Sequence, residues 1–276
     1  MGRVGTALTR RLSEAGYKVS KLHSRGRLRV SQLRTDVIWF CVPDAEIAAV
    51  ARSFSEIEWE RKFAFHSSGV LTSDVLAPLR RAGARVASVH PLMTFVRGSV
   101  PELASVPFAI EGDPSAVRVA RAIVRDLGGR LVGISKRDKV AYHTFATMIC
   151  PMLVSLLAAS EKAAALAGIP KTEARRRMLP IIRQTLSNYE KLGAAGAFSG
   201  PIVRGDTATI SAHLTALTRV PVAKTVYAGL AQAALKFLPN RNRRQIARIL
   251  DADFSAISAK PLRTLRLKTL KPSKRL

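Results

Sequence analysis

Acid is scarce in this sequence: 19 aspartates and glutamates face 45 lysines and arginines across 276 residues, a formal net charge of +26. The deficit deepens along the chain, from 20 basic and 12 acidic residues in 1–135 to 25 and 7 in 136–276. From Lys260 to Leu276 there are seven basic residues and no acid. Such a field attracts phosphates, nucleic acid and anionic lipid without specificity. A dedicated nucleic-acid reader interleaves its basic residues with aromatics. Aromatics make up only 6% here, and the basic residues are spread through helical segments. A solvated basic surface with a disordered tail over 259–276 is therefore favoured over nucleic-acid binding. Cysteine is also rare. Cys41 and Cys150 lie in apolar surroundings without a CxxC spacing, which argues against a disulfide framework or a metal site and suits a reducing cytoplasm. The N-terminus lacks the basic-then-apolar layout of a signal peptide. One apolar run, Thr144 to Ala159, 16 uncharged residues, falls short of the roughly 20 residues a bilayer requires and contains Pro151. It reads as a buried core or dimer helix, with no membrane involved.

What is present alternates. Helix Val4–Ala15 precedes a strand over Tyr17–Leu22. Then come strand Val37–Val42, helix Asp44–Phe54 with Asp44 as its cap, strand Phe63–His66, helix Thr72–Ala82 and strand Arg85–Val89. After a loop rich in proline and glycine follow strand Pro107–Glu111, helix Pro114–Leu127 and strand Arg130–Ile134. Strands alternating with helices of 10–14 residues signal a parallel, doubly wound α/β sheet. From Lys136 only helical patterns remain, over about 136–167, 171–193, 207–217, 221–237 and 241–258. The reading is a Rossmann-like N-terminal domain over 1–135 and an all-α domain over 136–258.

Met1-Gly2-Arg3-Val4-Gly5 leads into the first helix. In a GxGxxG turn the middle glycine lets the backbone approach a pyrophosphate, the last permits close helix–strand packing, and the helix N-terminus supplies free N–H groups. Gly2 and Gly5 have the spacing of the second and third glycines. The pattern therefore sets the first glycine and first strand upstream of Met1, and an in-frame Val/Ile-rich run is expected there. Gly2, Arg3, Val4 and Gly5 are cofactor-binding candidates, joined by Val42 and Pro43 at the end of a strand. An NAD site carries an acid after its second strand to bond the ribose 2′-hydroxyl. Leu22-His23-Ser24-Arg25-Gly26-Arg27 has none, and Ser24 with Arg25 suits a 2′-phosphate, so NADP is favoured over NAD. His66-Ser67-Ser68-Gly69 and His90-Pro91-Leu92-Met93-Thr94-Phe95 end two strands at the edge where open α/β sheets bind ligands. Lys139 and His143, four apart, share a helix face. Lys139 is the expected proton donor with His143 as its partner, and His66 a further acid–base candidate. Ser67, Ser68 and His90 are expected at the substrate. Arg204 could clamp an anion, with Asp206 capping the next helix.

CVPD, HSSG, SVHPLMTF, KVAYH and GPIVRGDTATISAHL, in this order after the glycine turn, resemble a family of Rossmann-like oxidoreductases with a C-terminal helical domain of unknown function, number 2520. That family is distantly similar to pyrroline-5-carboxylate reductases and 3-hydroxyisobutyrate dehydrogenases. The resemblance runs to about residue 235. It implies an NAD(P)-binding domain, a helical domain that forms a homodimer, and an active site between them. Pro151 departs from the pattern, standing where relatives often carry asparagine. The expectation is a cytoplasmic NADP-dependent oxidoreductase transferring a hydride to or from a small carbonyl, imine or hydroxy compound. A non-catalytic nucleotide-binding protein and a nucleic-acid-associated basic protein are the alternatives.

Overall fold

The computed structural model describes residues 2–21 and 35–258, with side chains as far as Asp253. Ser24, Arg25 and the basic tail lie outside the described residues. Contacts divide the chain into two compact units, Met1–Met152 and Leu153–Leu276. The division falls later than the change of sequence character at 135, because helix α5 (Lys139–Ile149) sends Lys139 into the hydrogen bonds of the first unit.

The first unit is built on five strands: β1 (Val37–Phe40), β2 (Phe63–His66), β3 (Arg85–Pro91), β4 (Pro107–Gly112) and β5 (Arg130–Gly133). They lie side by side in sequence order. Strands β1, β2 and β3 are mutually parallel, so His66 and Pro91 end at one edge. Strand β4 runs antiparallel to β3, and β5 runs parallel to β4. The wholly parallel sheet expected from the alternation is thus corrected at one pairing. A parallel crossover needs a helix's worth of chain on the sheet face, and residues 92–106 between β3 and β4 hold no helix. At the reversal the backbones nearly touch: a Cβ on Gly112 would lie 2.3 Å from the Val86 carbonyl oxygen, and φ there is +144°. Only glycine fits that approach.

Side chains alternate across the sheet as the pleat requires. Phe65, Ala87, Val89, Phe108 and Ile110 pack beneath α1 (Arg3–Glu14) and α4 (Pro114–Asp126). Ile38, Phe40, Ala64 and Val86 pack on the other face against α2 (Asp44–Ser53) and α3 (Ala77–Arg81). The helix expected over Thr72–Ala82 begins as a 3-10 turn at Ser73–Leu76, with the Thr72 hydroxyl accepting from the Asp74 N–H. The strand expected from Tyr17 is absent over described residues 17–21. A strand exists only through its neighbour's hydrogen bonds, and no described strand pairs with this segment. Tyr17 instead donates its hydroxyl to Asp126 at 2.6 Å.

The second unit is helical: most of α6 (Pro151–Leu166), then α7 (Lys171–Ala197), α8 (Pro201–Arg204), α9 (Thr207–Ala216), α10 (Pro221–Phe237) and α11 (Arg243–Ser258). Its core joins Ile210 and Leu214 to Ala228, Leu235, Ile246 and Leu250. Asp206 caps α9 as expected, accepting from the Thr209 N–H at 3.0 Å. Of the two readings of the uncharged run, a buried core or a dimer helix, the buried core does not form within this chain. Phe145, Met148, Ile149, Met152 and Val154 are exposed, and α5 breaks from α6 at Cys150, where φ is −116° and ψ −82°. Residues 136–166 nevertheless form one helical stretch long and apolar enough, by length and composition, to cross a membrane.

Candidate active site

The site grows from the carboxyl ends of β1, β2 and β3. The chain leaves β2 at His66 and turns through Ser67-Ser68-Gly69, and nearly every polar atom of that turn is committed. The Ser68 hydroxyl donates to Asp44 Oδ2 at 2.6 Å and accepts from the N–H groups of Val70 and Leu71. Asp44, expected as a helix cap, instead sits inside α2 without a cap bond and holds this turn. Ser67 Oγ accepts from the Trp39 indole at 2.8 Å, and its carbonyl receives His90 Nδ1 at 3.0 Å.

His66 is fully buried. Its Nδ1 accepts the Ser68 N–H at 3.2 Å, so in the neutral ring the proton is on Nε2, 3.2 Å from the Thr72 carbonyl. Both nitrogens are therefore spent inside the protein. Burial, then the nearby Lys139 charge, pushes the ring's pKa down to about 4. The acid–base role expected of His66 has no free nitrogen to act through; its position fits it to lock the turn.

Lys139 is only 2% exposed. Its ammonium donates to Ser88 Oγ at 2.7 Å and to the Ser68 carbonyl at 3.3 Å. Burial lowers its pKa, and the Glu111 and Asp44 charges oppose that shift. Glu111, buried on β4, accepts from the Ser73 N–H and hydroxyl at 2.6 and 2.7 Å. Lys139 thus reaches under the turn rather than into the open.

His143, one turn along α5, faces otherwise. Its ring lies against Gly69, where a Cβ would come 2.2 Å from Nδ1. It meets the His90 ring edge-on with centroids 5.5 Å apart. Its Nδ1 is buried without a hydrogen-bond partner. Burial also lowers the His90 pKa. Cys41, beside the cluster's strand, is a neutral thiol whose pKa burial raises to about 12.

Helix α1 begins next to this edge, since a Cβ on Gly2 would lie 3.8 Å from the Cys41 carbonyl oxygen. Gly2 is its N-cap. Among the described residues no side chain caps the first-turn N–H groups around Arg3, Val4 and Gly5, the condition under which a helix N-terminus can hold an anion. Val42 and Pro43 lead from β1 into α2. Arg204 is exposed on α8 in the second unit.

Residues 106–234 match the family model described as a domain of unknown function, DUF2520. No curated protein is matched by the sequence. Solved structures share its fold. A Bacteroides fragilis protein provisionally assigned as an NADP oxidoreductase is 19% identical at a TM-score of 0.72, over 84% of this chain and 94% of that one. An Aspergillus terreus reductive aminase, in complex with NADPH and ethyl-5-oxohexanoate, is 12% identical at 0.58, over 90% and 96%. A Plasmodium falciparum pyrroline carboxylate reductase with NADP bound is 13% identical at 0.55, over 92% and 94%. The architecture carrying the DUF2520 segment is therefore Rossmann-like with a helical C-terminal part.

The sequence pattern missed Ser88, Glu111, Ser73 and Trp39. Ser88 and Glu111 had a signal: each is a polar residue in an otherwise apolar strand, and a buried polar group implies a partner.

Proposed function

We propose that the protein is an NADP-dependent reductase or dehydrogenase acting on a small carbonyl, imine or hydroxy compound. The observation that carries this reading is the joining of the uncapped α1 N-terminus to the His66–Gly69 turn, His90 and His143 at one edge of the parallel strands. In this reading Gly2, Arg3, Val4 and Gly5 hold the pyrophosphate, and Val42 and Pro43 flank the nicotinamide. The 2′-phosphate falls to Ser24 and Arg25. Solved relatives of the same fold with NADP or NADPH bound support the choice of cofactor. Bound NADPH supplies the hydride. His143 and His90 contact the reacting compound, His143 hydrogen-bonds the heteroatom on which negative charge develops, and that atom takes its proton from solvent water. Lys139 fixes the turn through Ser88 and Ser68, keeping a positive charge behind it; it acts as a positioning residue rather than the direct donor. NADPH titration followed by fluorescence is expected to saturate at lower concentration than NADH. Binding of neither cofactor overturns the reading.

We further propose a homodimer formed through the helical unit. Val154, Ile181, Leu186, Leu192 and Val222 are large apolar residues left exposed there. An open apolar groove of about 230 Å³, lined by Leu156, Phe198, Tyr227 and Leu230 among others, lies in the same unit. Exposed apolar residues and an open apolar groove on one unit fit an interaction surface. Light scattering should return twice the 30.0 kDa chain mass; a monomer, or partition onto neutral liposomes, would count against the dimer.

A further inference from the structure

The hydrogen bonds of the cluster fix where the imidazole protons sit, and the protons in turn describe the substrate. His90 Nδ1 faces a carbonyl oxygen, that of Ser67, at 3.0 Å. A carbonyl only accepts, so His90 carries its proton on Nδ1 and keeps a lone pair on Nε2. His143 is the reverse. Its Nδ1 is buried, partnerless and pressed against Gly69, and an unpaired buried N–H is the rarer and less tolerated kind of orphan. The proton belongs on Nε2. Among the described residues no hydrogen bond is made by either Nε2, and neither is buried. Two adjacent rings thus present one acceptor and one donor. Their ring centroids lie 5.5 Å apart, close enough for both rings to reach one small molecule. Among the described residues no free cation accompanies them in the cluster: the Lys139 ammonium is turned onto Ser88 and Ser68, with the Glu111 and Asp44 charges near it.

We propose that the His90–His143 pair selects small, uncharged α-hydroxycarbonyl compounds. His143 Nε2–H donates to the carbonyl oxygen, and His90 Nε2 accepts from the hydroxyl on the adjacent carbon. In the reverse direction the same pair holds the corresponding diol. This rests on the reductase reading for its chemistry but not for its geometry. Two measurements separate the two. Long-range ¹H–¹⁵N correlation on protein labelled at its five histidines, assigned by single substitutions, is expected to show His66 and His143 protonated on Nε2 and His90 on Nδ1. Either His90 or His143 in the opposite tautomer overturns the pair, whatever the cofactor does. NADPH oxidation is then compared on hydroxyacetone, acetone and pyruvate. The expected kcat/KM on hydroxyacetone is at least tenfold that on either other probe, and His90→Phe brings it down to the acetone value. Equal rates on hydroxyacetone and acetone, a preference for pyruvate, or NADPH binding with no turnover of hydroxyacetone would each sink the proposal. Failure to bind NADPH removes the reductase reading instead, and the tautomers still decide the pair.

Discussion

Lowering the pH from 6.5 to 4 is expected to cost the N-terminal unit about 3 kcal/mol of stability through His66 alone. The pKa of this ring is about 4 in the fold against about 6.5 in an unfolded chain, and each pH unit between them is worth about 1.4 kcal/mol. Because the folded value is the lower one, the unfolded chain binds more protons throughout that window. The contribution is complete above pH 6.5 and is lost as pH falls toward 4. The cause is the ring's setting. It is buried, faces the Lys139 ammonium, and has both nitrogens engaged by the Ser68 N–H and the Thr72 carbonyl. Asp44 pulls weakly the other way, and neighbouring His90, itself shifted down, steepens the same slope. Exposed carboxylates such as Asp74, held low by Lys136 and Arg80, titrate below this window. Both tryptophans, Trp39 and Trp59, belong to this unit, so urea unfolding followed by tryptophan fluorescence at pH 7 and pH 5 reads the effect directly. His66→Gln should flatten the slope. Should that variant not fold, calorimetry of wild-type unfolding at pH 5.5 in two buffers should report uptake of at least about one proton. A midpoint unchanged between pH 7 and pH 5 would contradict the assignment.

The same histidine shows how far the sequence could be read. A histidine at the end of a buried strand on the ligand-binding edge of an α/β sheet signals function or a satisfied core group with equal force. Only the direction of its neighbours decides, and Ser68 N–H and Thr72 carbonyl are backbone atoms that no side-chain pattern reveals. Lys139 is similar. Its i, i+4 spacing with His143 placed both on one helix face, but not at different depths: the lysine reaches under the turn to Ser88, while the shorter imidazole rests on top of it at Gly69. Element existence was legible, because the apolar runs at 37–42, 63–66 and 85–89 have strand length and the segments between them have helical spacing. Strand direction at β4 was not. It depends on whether residues 92–106 form a crossover helix, and a loop and a short helix share the same length of chain. The run at 144–159 left two readings, core or dimer helix, because hydropathy marks a surface that must be covered without saying by what.

The site therefore turns on a residue with no side chain. Gly69→Ala is expected to cut turnover of the preferred substrate by about 100-fold, the usual consequence of displacing a reacting group by about 1 Å. The added methyl carbon would sit 2.2 Å from His143 Nδ1, 2.8 Å from Cγ and 2.9 Å from Cε1, distances no real Cβ tolerates. The turn cannot retreat, since Ser68 is tied to Asp44, Lys139 and His66, and Ser67 to Trp39 and His90. The imidazole must move instead. The backbone at Gly69 is not in the left-handed region, so alanine adds no conformational strain and the thermal midpoint should shift by only a few degrees. A purely structural lesion would give the opposite pattern, a large stability loss with activity falling in proportion. Coupling supplies the sharper test. If Gly69 acts through His143, the double variant Gly69→Ala/His143→Ala should be no worse than His143→Ala alone, because groups acting as a unit are non-additive. The His143 ¹⁵N resonances should also shift in Gly69→Ala while those of His213, in the other unit, stay in place. Additive losses, or unmoved His143 resonances, would show that the glycine serves the turn and not the ring.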